Sequence, residues 1–160
     1  MKSILIYDSL YGNTEKIAQS IGNVLKEQGE TTLVRVGDYK MDMLVGIDLL
    51  IVGSPTQQFR ATAAMKGFLK GIPSGYLKGM RVAAFDTRLT QANIDGTPVL
   101  PHFVKLFGYA AEPIGKELEK KGGRLIITAE GFYVEGTEGP LVEGELERAA
   151  AWARKLFAPS

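Results

Sequence analysis

The stretch Leu5-Ile6-Tyr7-Asp8-Ser9-Leu10-Tyr11-Gly12-Asn13-Thr14-Glu15-Lys16-Ile17-Ala18-Gln19-Ser20-Ile21 decides the architecture. It opens on the apolar run Ile4 to Tyr7, the pattern of a strand buried on both faces. It closes in a helix over Thr14 to Gln28, where Ile17, Ile21, Val24 and Leu25 share one face and Gly29 ends the run. Between them lies a short polar loop in which the hydroxyls of Ser9 and Thr14 bracket Gly12. A strand that feeds a helix through such a loop leaves free N–H groups at the helix start, where the helix dipole also favours an anion. Ser9, Asn13 and Thr14 add side-chain donors. The loop holds no Arg or Lys, so an anion bound there relies on neutral donors, and Lys16 lies one turn into the helix. A plain turn with Asn13 or Thr14 as helix cap is the competing reading. Two other phosphate loops fit badly, because the sequence has neither Gly-Lys-Ser/Thr nor Gly-x-Gly-x-x-Gly here.

Outward from this stretch the same alternation recurs. Thr32–Val36, Asp48–Val52, Arg81–Phe85 and Arg124–Thr128 read as further strands. Ala61–Lys70, Val99–Ala111, Pro113–Lys121 and Glu143–Phe157 read as helices. Strands alternating with helices predict a parallel sheet covered on both faces, with right-handed crossovers. Ligands in such sheets bind beyond the carboxyl ends of the strands, so those loops are where function is expected.

Composition narrows the chemistry. The 160 residues suit one domain, spanning 1–160, and no linker or repeat divides them. With no cysteine there is no disulfide, thiolate nucleophile or cysteine-held metal, and a single histidine, His102, leaves no multi-histidine metal site. A net charge of +1 speaks against a nucleic-acid binder. No apolar run is long enough to serve as a signal or to span a bilayer, so a cytoplasmic protein is the expectation. Met41 and Met43 read as cover for an edge of the core, and Trp152 as packing in the last helix.

From Leu5 to Ile21 the order Leu-Ile-Tyr-x-Ser-x-x-Gly-x-Thr-x-x-x-Ala-x-x-Ile resembles the phosphate-loop signature of the flavodoxin family at every specified position. The resemblance implies a flavodoxin-like three-layer α-β-α sandwich on a five-stranded parallel sheet of order 2-1-3-4-5. It implies FMN as cofactor, held through its phosphate by Ser9, Leu10, Tyr11, Gly12, Asn13 and Thr14.

Gly53-Ser54-Pro55-Thr56-Gln57-Gln58-Phe59, after the third strand, is similar to the second flavin loop of the family. That implies contacts from Ser54, Pro55, Thr56, Gln57, Gln58 and Phe59. The family's common Trp is not there, and Phe59 stands between stacking on the flavin and packing in the core. Asp86, Thr87 and Arg88 follow the fourth strand, where the third flavin loop belongs. Asp86 can accept from the flavin pyrimidine N3–H, Thr87 can donate to a carbonyl, and Arg88 can stabilise negative charge on reduced flavin; an ordinary surface ion pair is the other reading of Arg88.

Two functions compete. The first is an FMN-binding carrier that shuttles single electrons between redox partner proteins, monomeric rather than dimeric, with no catalytic side chain and no metal. The second is an FMN-dependent oxidoreductase on the same fold, of the NAD(P)H:quinone or flavin reductase or haem-precursor oxidase type. A response regulator is rejected, because Gly53-Ser54 stands where its phospho-acceptor Asp is needed, and a tyrosine phosphatase would require a cysteine. Carrier flavodoxins are typically strongly acidic. Here the acids gather only at Glu130, Glu135, Glu138, Glu143, Glu145 and Glu147, which suit either the start of a helix or a docking patch for a basic partner.

Overall fold

The computed structural model describes residues 1–57, 60–90 and 109–159. Its elements are β1 (Lys2–Tyr7), α1 (Asn13–Gln28), β2 (Glu30–Arg35), β3 (Leu49–Pro55), α2 (Ala63–Gly71), β4 (Arg81–Leu89), α3 (Ala111–Lys120), β5 (Arg124–Leu125), β6 (Glu130–Val134) and α4 (Glu145–Lys155). All named strand pairs are parallel, and the order is β2-β1-β3-β4-β5 with β6 also on β4. This is the flavodoxin-like order expected from the sequence.

The continuous apolar runs follow from the two-residue period of a strand with a core on each side. Ile4, Ile6, Leu50, Val52, Val82 and Ala84 point into one core with Met65, Phe68 and Leu69 of α2 and Ile114 and Leu118 of α3. Leu5, Tyr7, Leu49, Ile51, Ala83 and Phe85 point into the other, against Ile17, Ile21 and Leu25 of α1 and Ala149, Trp152 and Ala153 of α4. Phe85, Phe132 and Trp152 meet there edge to face, with centroids 6.1 to 6.3 Å apart. Trp152 is thus the packing residue its spacing suggested. Met43 packs at the margin of the first core, within a short 3₁₀ segment, whereas Met41 is exposed.

The fifth strand departs from expectation. Arg124–Thr128 does not run as one strand: only Arg124 and Leu125 pair with the start of β4, and Glu130–Val134 pairs with its upper half. The register explains the break. Arg81 faces Arg124 but Phe85 faces Glu130, so two extra residues are accommodated between the segments. Ile126 and Ile127 still pack on the second core, which is why the apolar run read as strand. The helix expected at Val99–Ala111, with His102, lies outside the described residues except for its last three positions.

β6 is tied to α4 by an ion pair between the buried Glu145 and the partly exposed Arg148. The Glu145 carboxylate accepts from the Tyr133 N–H at 2.7 Å and from Arg148 Nε at 2.8 Å. Arg148 also donates to the Gly131 carbonyl and pairs with Glu130 at 3.3 Å. Burial works against the Glu145 charge, but Arg148 and the Tyr133 N–H outweigh it and hold the carboxyl below its ordinary range. A depressed carboxyl contributes stability that is present above its unfolded-state value and is lost as pH falls through the folded one. Glu145→Gln should therefore cost about 1–3 kcal/mol at neutral pH and flatten the acid limb of the stability curve. Urea titrations between pH 3 and 7 check this; parallel curves for the two proteins would contradict it.

Candidate functional site

The site begins where β1 runs out of sheet. Gly12 precedes α1 with φ of 90°, a left-handed conformation that an L side chain rarely adopts, although open space surrounds the position of a Cβ. No side chain caps α1 directly. Instead the Ser9 hydroxyl accepts from the Gly12 N–H at 3.1 Å and the Glu15 N–H at 3.2 Å. Among the described residues, the N–H groups of Leu10, Tyr11, Asn13 and Thr14 make no hydrogen bond. Four unbonded backbone donors thus stand together at a helix start, in a loop that holds no Arg or Lys.

The loop is braced from three sides. Asp8 accepts from its neighbour Ser9 N–H at 2.9 Å and from the Thr62 hydroxyl at 2.5 Å; Thr62 in turn caps α2 by accepting from the Met65 N–H. Asn13 donates to the Glu138 carbonyl at 3.1 Å, which fastens the β6–α4 connection to α1. The Thr14 and Thr87 hydroxyls lie 2.8 Å apart, both buried, linking the loop to the end of β4.

These contacts surround a cleft of about 250 Å³. Of the residues expected from the sequence, Leu10, Tyr11, Asn13, Thr14, Pro55, Thr56, Gln57, Thr87 and Arg88 line it together. Ser9 and Gly12 form the turn beneath, and Ser54 is fully buried with its hydroxyl accepting from the Thr62 N–H. Gln58 and Phe59 lie outside the described residues. Sequence reading missed Leu89, Val134 and Thr137, which complete the wall. The rule that ligands lie beyond strand carboxyl ends reaches Val134 and Thr137 once the strand is placed at β6 rather than at 124–128.

Asp86 does not line the cleft. Its carboxylate is fully buried and accepts from Arg88 Nε and Nη2, both at 2.7 Å, and from the Ala111 N–H at 2.9 Å. Burial pushes the Asp86 carboxyl up, against the pull of Arg88, the Ala111 N–H and the Thr56 hydroxyl. Burial also opposes the Arg88 charge, but the bonds to Asp86 outweigh it and hold the guanidinium above its ordinary value. Arg88 further lies over the Tyr109 ring, 3.7 Å from its centroid. Among the described lining residues Arg88 carries the one formal charge.

A parallel α/β sheet with a loop of unbonded N–H groups after β1, and a cleft at the carboxyl ends of β1, β3, β4 and β6, defines the class. The chain belongs to the flavodoxin family, whose model matches residues 5–152. It is similar in fold to oxidised flavodoxin 1 from Bacillus cereus, with TM-score 0.77 and 18% identity over 98% of this chain and 97% of that one. A flavodoxin from the domain Archaea matches with TM-score 0.70 and 20% identity, over 99% and 100% of the chains. Rubredoxin oxygen:oxidoreductase from Desulfovibrio gigas matches at 0.69 and 17%, covering 97% of this chain and 35% of that chain. Flavodoxins bind FMN and transfer electrons to redox partners. The unbonded N–H groups fit a phosphate monoester. Among the described residues no helix is long and apolar enough to cross a membrane.

The seat of Arg88 depends on Gly131. The two residues lie on neighbouring strands, and a Cβ at Gly131 would fall on the Arg88 Nε and Cζ. Gly131→Ala should cost about 1–3 kcal/mol through overpacking. Gly67→Ala, on the exposed face of α2 with open space around it, should be neutral or stabilising by comparison. Denaturant unfolding of both variants checks the contrast; equal effects would mean that the guanidinium yields without loss.

Proposed function

We propose that this protein is an FMN-binding carrier that passes single electrons between redox partner proteins, acting as one domain over residues 1–160, monomeric and cytoplasmic. The observation that carries the reading is the group of unbonded N–H donors of Leu10, Tyr11, Asn13 and Thr14 at the start of α1. Those donors, with the hydroxyls of Ser9 and Thr14, hold the phosphate. Pro55, Thr56, Gln57 and Thr87 stand around the rest of the cofactor, and Ser54, Gln58 and Phe59 belong to the same loop. FMN supplies the electron storage, so no side chain of this chain need act as acid or base. Asp86 anchors Arg88, and Arg88 places a fixed positive charge on the cleft wall, where it favours negative charge on the reduced cofactor.

The charge balance of the whole chain favours a second reading, an FMN-dependent oxidoreductase on the same fold. A net charge of +1 is unlike a carrier that docks through an acidic face. NADPH added alone to the FMN-loaded protein separates the two. Rapid bleaching supports the enzyme, and a stable yellow spectrum supports the carrier.

Apoprotein titrated with FMN should quench flavin fluorescence at a 1:1 ratio, and a protein that leaves FMN fluorescence unchanged sinks both readings. In the loaded protein, Arg88→Gln should lower the potential of the final reduction step by on the order of 60 mV, the equivalent of a tenfold loss. Removing a cation makes added electrons less stable, so the sign is downward. A potentiometric titration showing no change would mean that Arg88 does not act on the flavin.

A further inference from the structure

The phosphate loop itself contains no cation, yet one reaches it from a neighbouring strand. Arg35 ends β2, directly opposite Tyr7 at the end of β1. Its Nη1 donates to the Ser9 carbonyl at 2.9 Å. Its Nη2 lies 3.4 Å from a Glu15 carboxylate oxygen, and the other oxygen of Glu15 accepts from the Tyr7 hydroxyl at 2.9 Å. The guanidinium carbon lies 5.5 Å from the centroid of the Tyr7 ring. Ser9 is therefore held at three atoms: its N–H by Asp8, its hydroxyl by the N–H groups of Gly12 and Glu15, and its carbonyl by Arg35.

The grip on the carbonyl matters because a trans peptide is planar, with its C=O and N–H pointing in opposite directions. The Ser9 carbonyl and the Leu10 N–H belong to one peptide unit. Arg35 fixes the first and so aims the second away from itself. Leu10 lines the cleft, and its N–H is one of the four unbonded donors. The Glu15 carboxylate offsets the charge of Arg35, so the residue acts on the phosphate through geometry more than through net charge.

We propose that Arg35 is a positioning residue for the cofactor phosphate: it orients the Ser9–Leu10 peptide so that the Leu10 N–H serves the phosphate site. The inference rests on the FMN reading above. It concerns the phosphate alone, so it separates FMN from riboflavin, which has the same ring and ribityl chain without the phosphate.

The test is a pair of fluorescence titrations, with FMN and with riboflavin, on wild-type apoprotein, Arg35→Met and Arg35→Lys. Arg35→Met should weaken FMN binding about tenfold, the worth of one well-aimed bond to a charged group. Riboflavin binding should stay within about twofold, since no bond to a phosphate is lost. Arg35→Lys keeps the charge but cannot hold Ser9 and Glu15 together, so an FMN loss of about threefold is expected. Equal losses for FMN and riboflavin, or none for either, would overturn the proposal. If near-ultraviolet circular dichroism shows Arg35→Met unfolded, the FMN-to-riboflavin ratio of Arg35→Lys decides alone, an unchanged ratio overturning it. Wild-type protein that binds neither flavin overturns the FMN reading and this inference with it, whereas wild-type binding with unaltered variants overturns the role of Arg35 only.

Discussion

Water reaches neither face of the central parts of β1, β3 and β4. Leu5, Ile6, Leu49 to Val52 and Val82 to Phe85 are fully buried, and both surfaces of the sheet are covered by helices. Burying an unpaired polar group costs several kcal/mol, so the middle of each strand is apolar, and Ser54 and Asp86 enter only near the carboxyl ends, each with hydrogen-bond partners. Polar chemistry is thereby pushed to the strand ends. Because all three strands run the same way, their carboxyl ends collect at one edge, and Ser9, Ser54 and Asp86 follow the three runs there. The cleft is a consequence of that burial.

The groups at the edge are organised by contacts between loops. Asp8 reaches Thr62, Thr14 reaches Thr87, Asn13 reaches the Glu138 carbonyl, and Thr56 accepts from the Ala110 N–H. Each bond joins segments far apart in the chain. The donors that remain unbonded sit among side chains that are themselves hydrogen-bonded across the edge. Such an arrangement reduces the ordering a ligand must impose on binding. The same economy explains Arg88, whose clamp of Asp86, Tyr109 and Gly131 leaves the guanidinium little freedom.

Much of this was legible in the chain. The run Ile4–Tyr7, the loop through Gly12 and the helix face of Ile17 and Ile21 specify a strand, an anion loop and a helix by local rules of period and capping. Right-handed parallel crossovers leave few topologies, and the order among them came from the family resemblance carried by Leu5 to Ile21. The fifth strand begins where expected, at Arg124, but ends after Leu125; it read as longer because Ile126 and Ile127 are apolar and pack on the second core. Only the register against β4 shows that Glu130–Val134 carries the upper pairing. Asp86 and Arg88 stood out as a pair of charges after an apolar strand, but two residues in sequence do not tell which oxygens are taken.

The sequence by itself determined the alternation of elements, the anion-binding turn and the family, because each is set by residues within about twenty positions of one another. Tertiary structure decided the rest, because it rests on residues far apart in the chain. Arg35 meets Ser9, Gly131 makes room for Arg88, and Thr137 shares a wall with Leu10 only after the sheet has formed. No local pattern marks an arginine at the end of β2 as part of a phosphate loop. What marks it is the parallel register that sets Tyr7 beside Arg35, and that register exists only in the folded sheet.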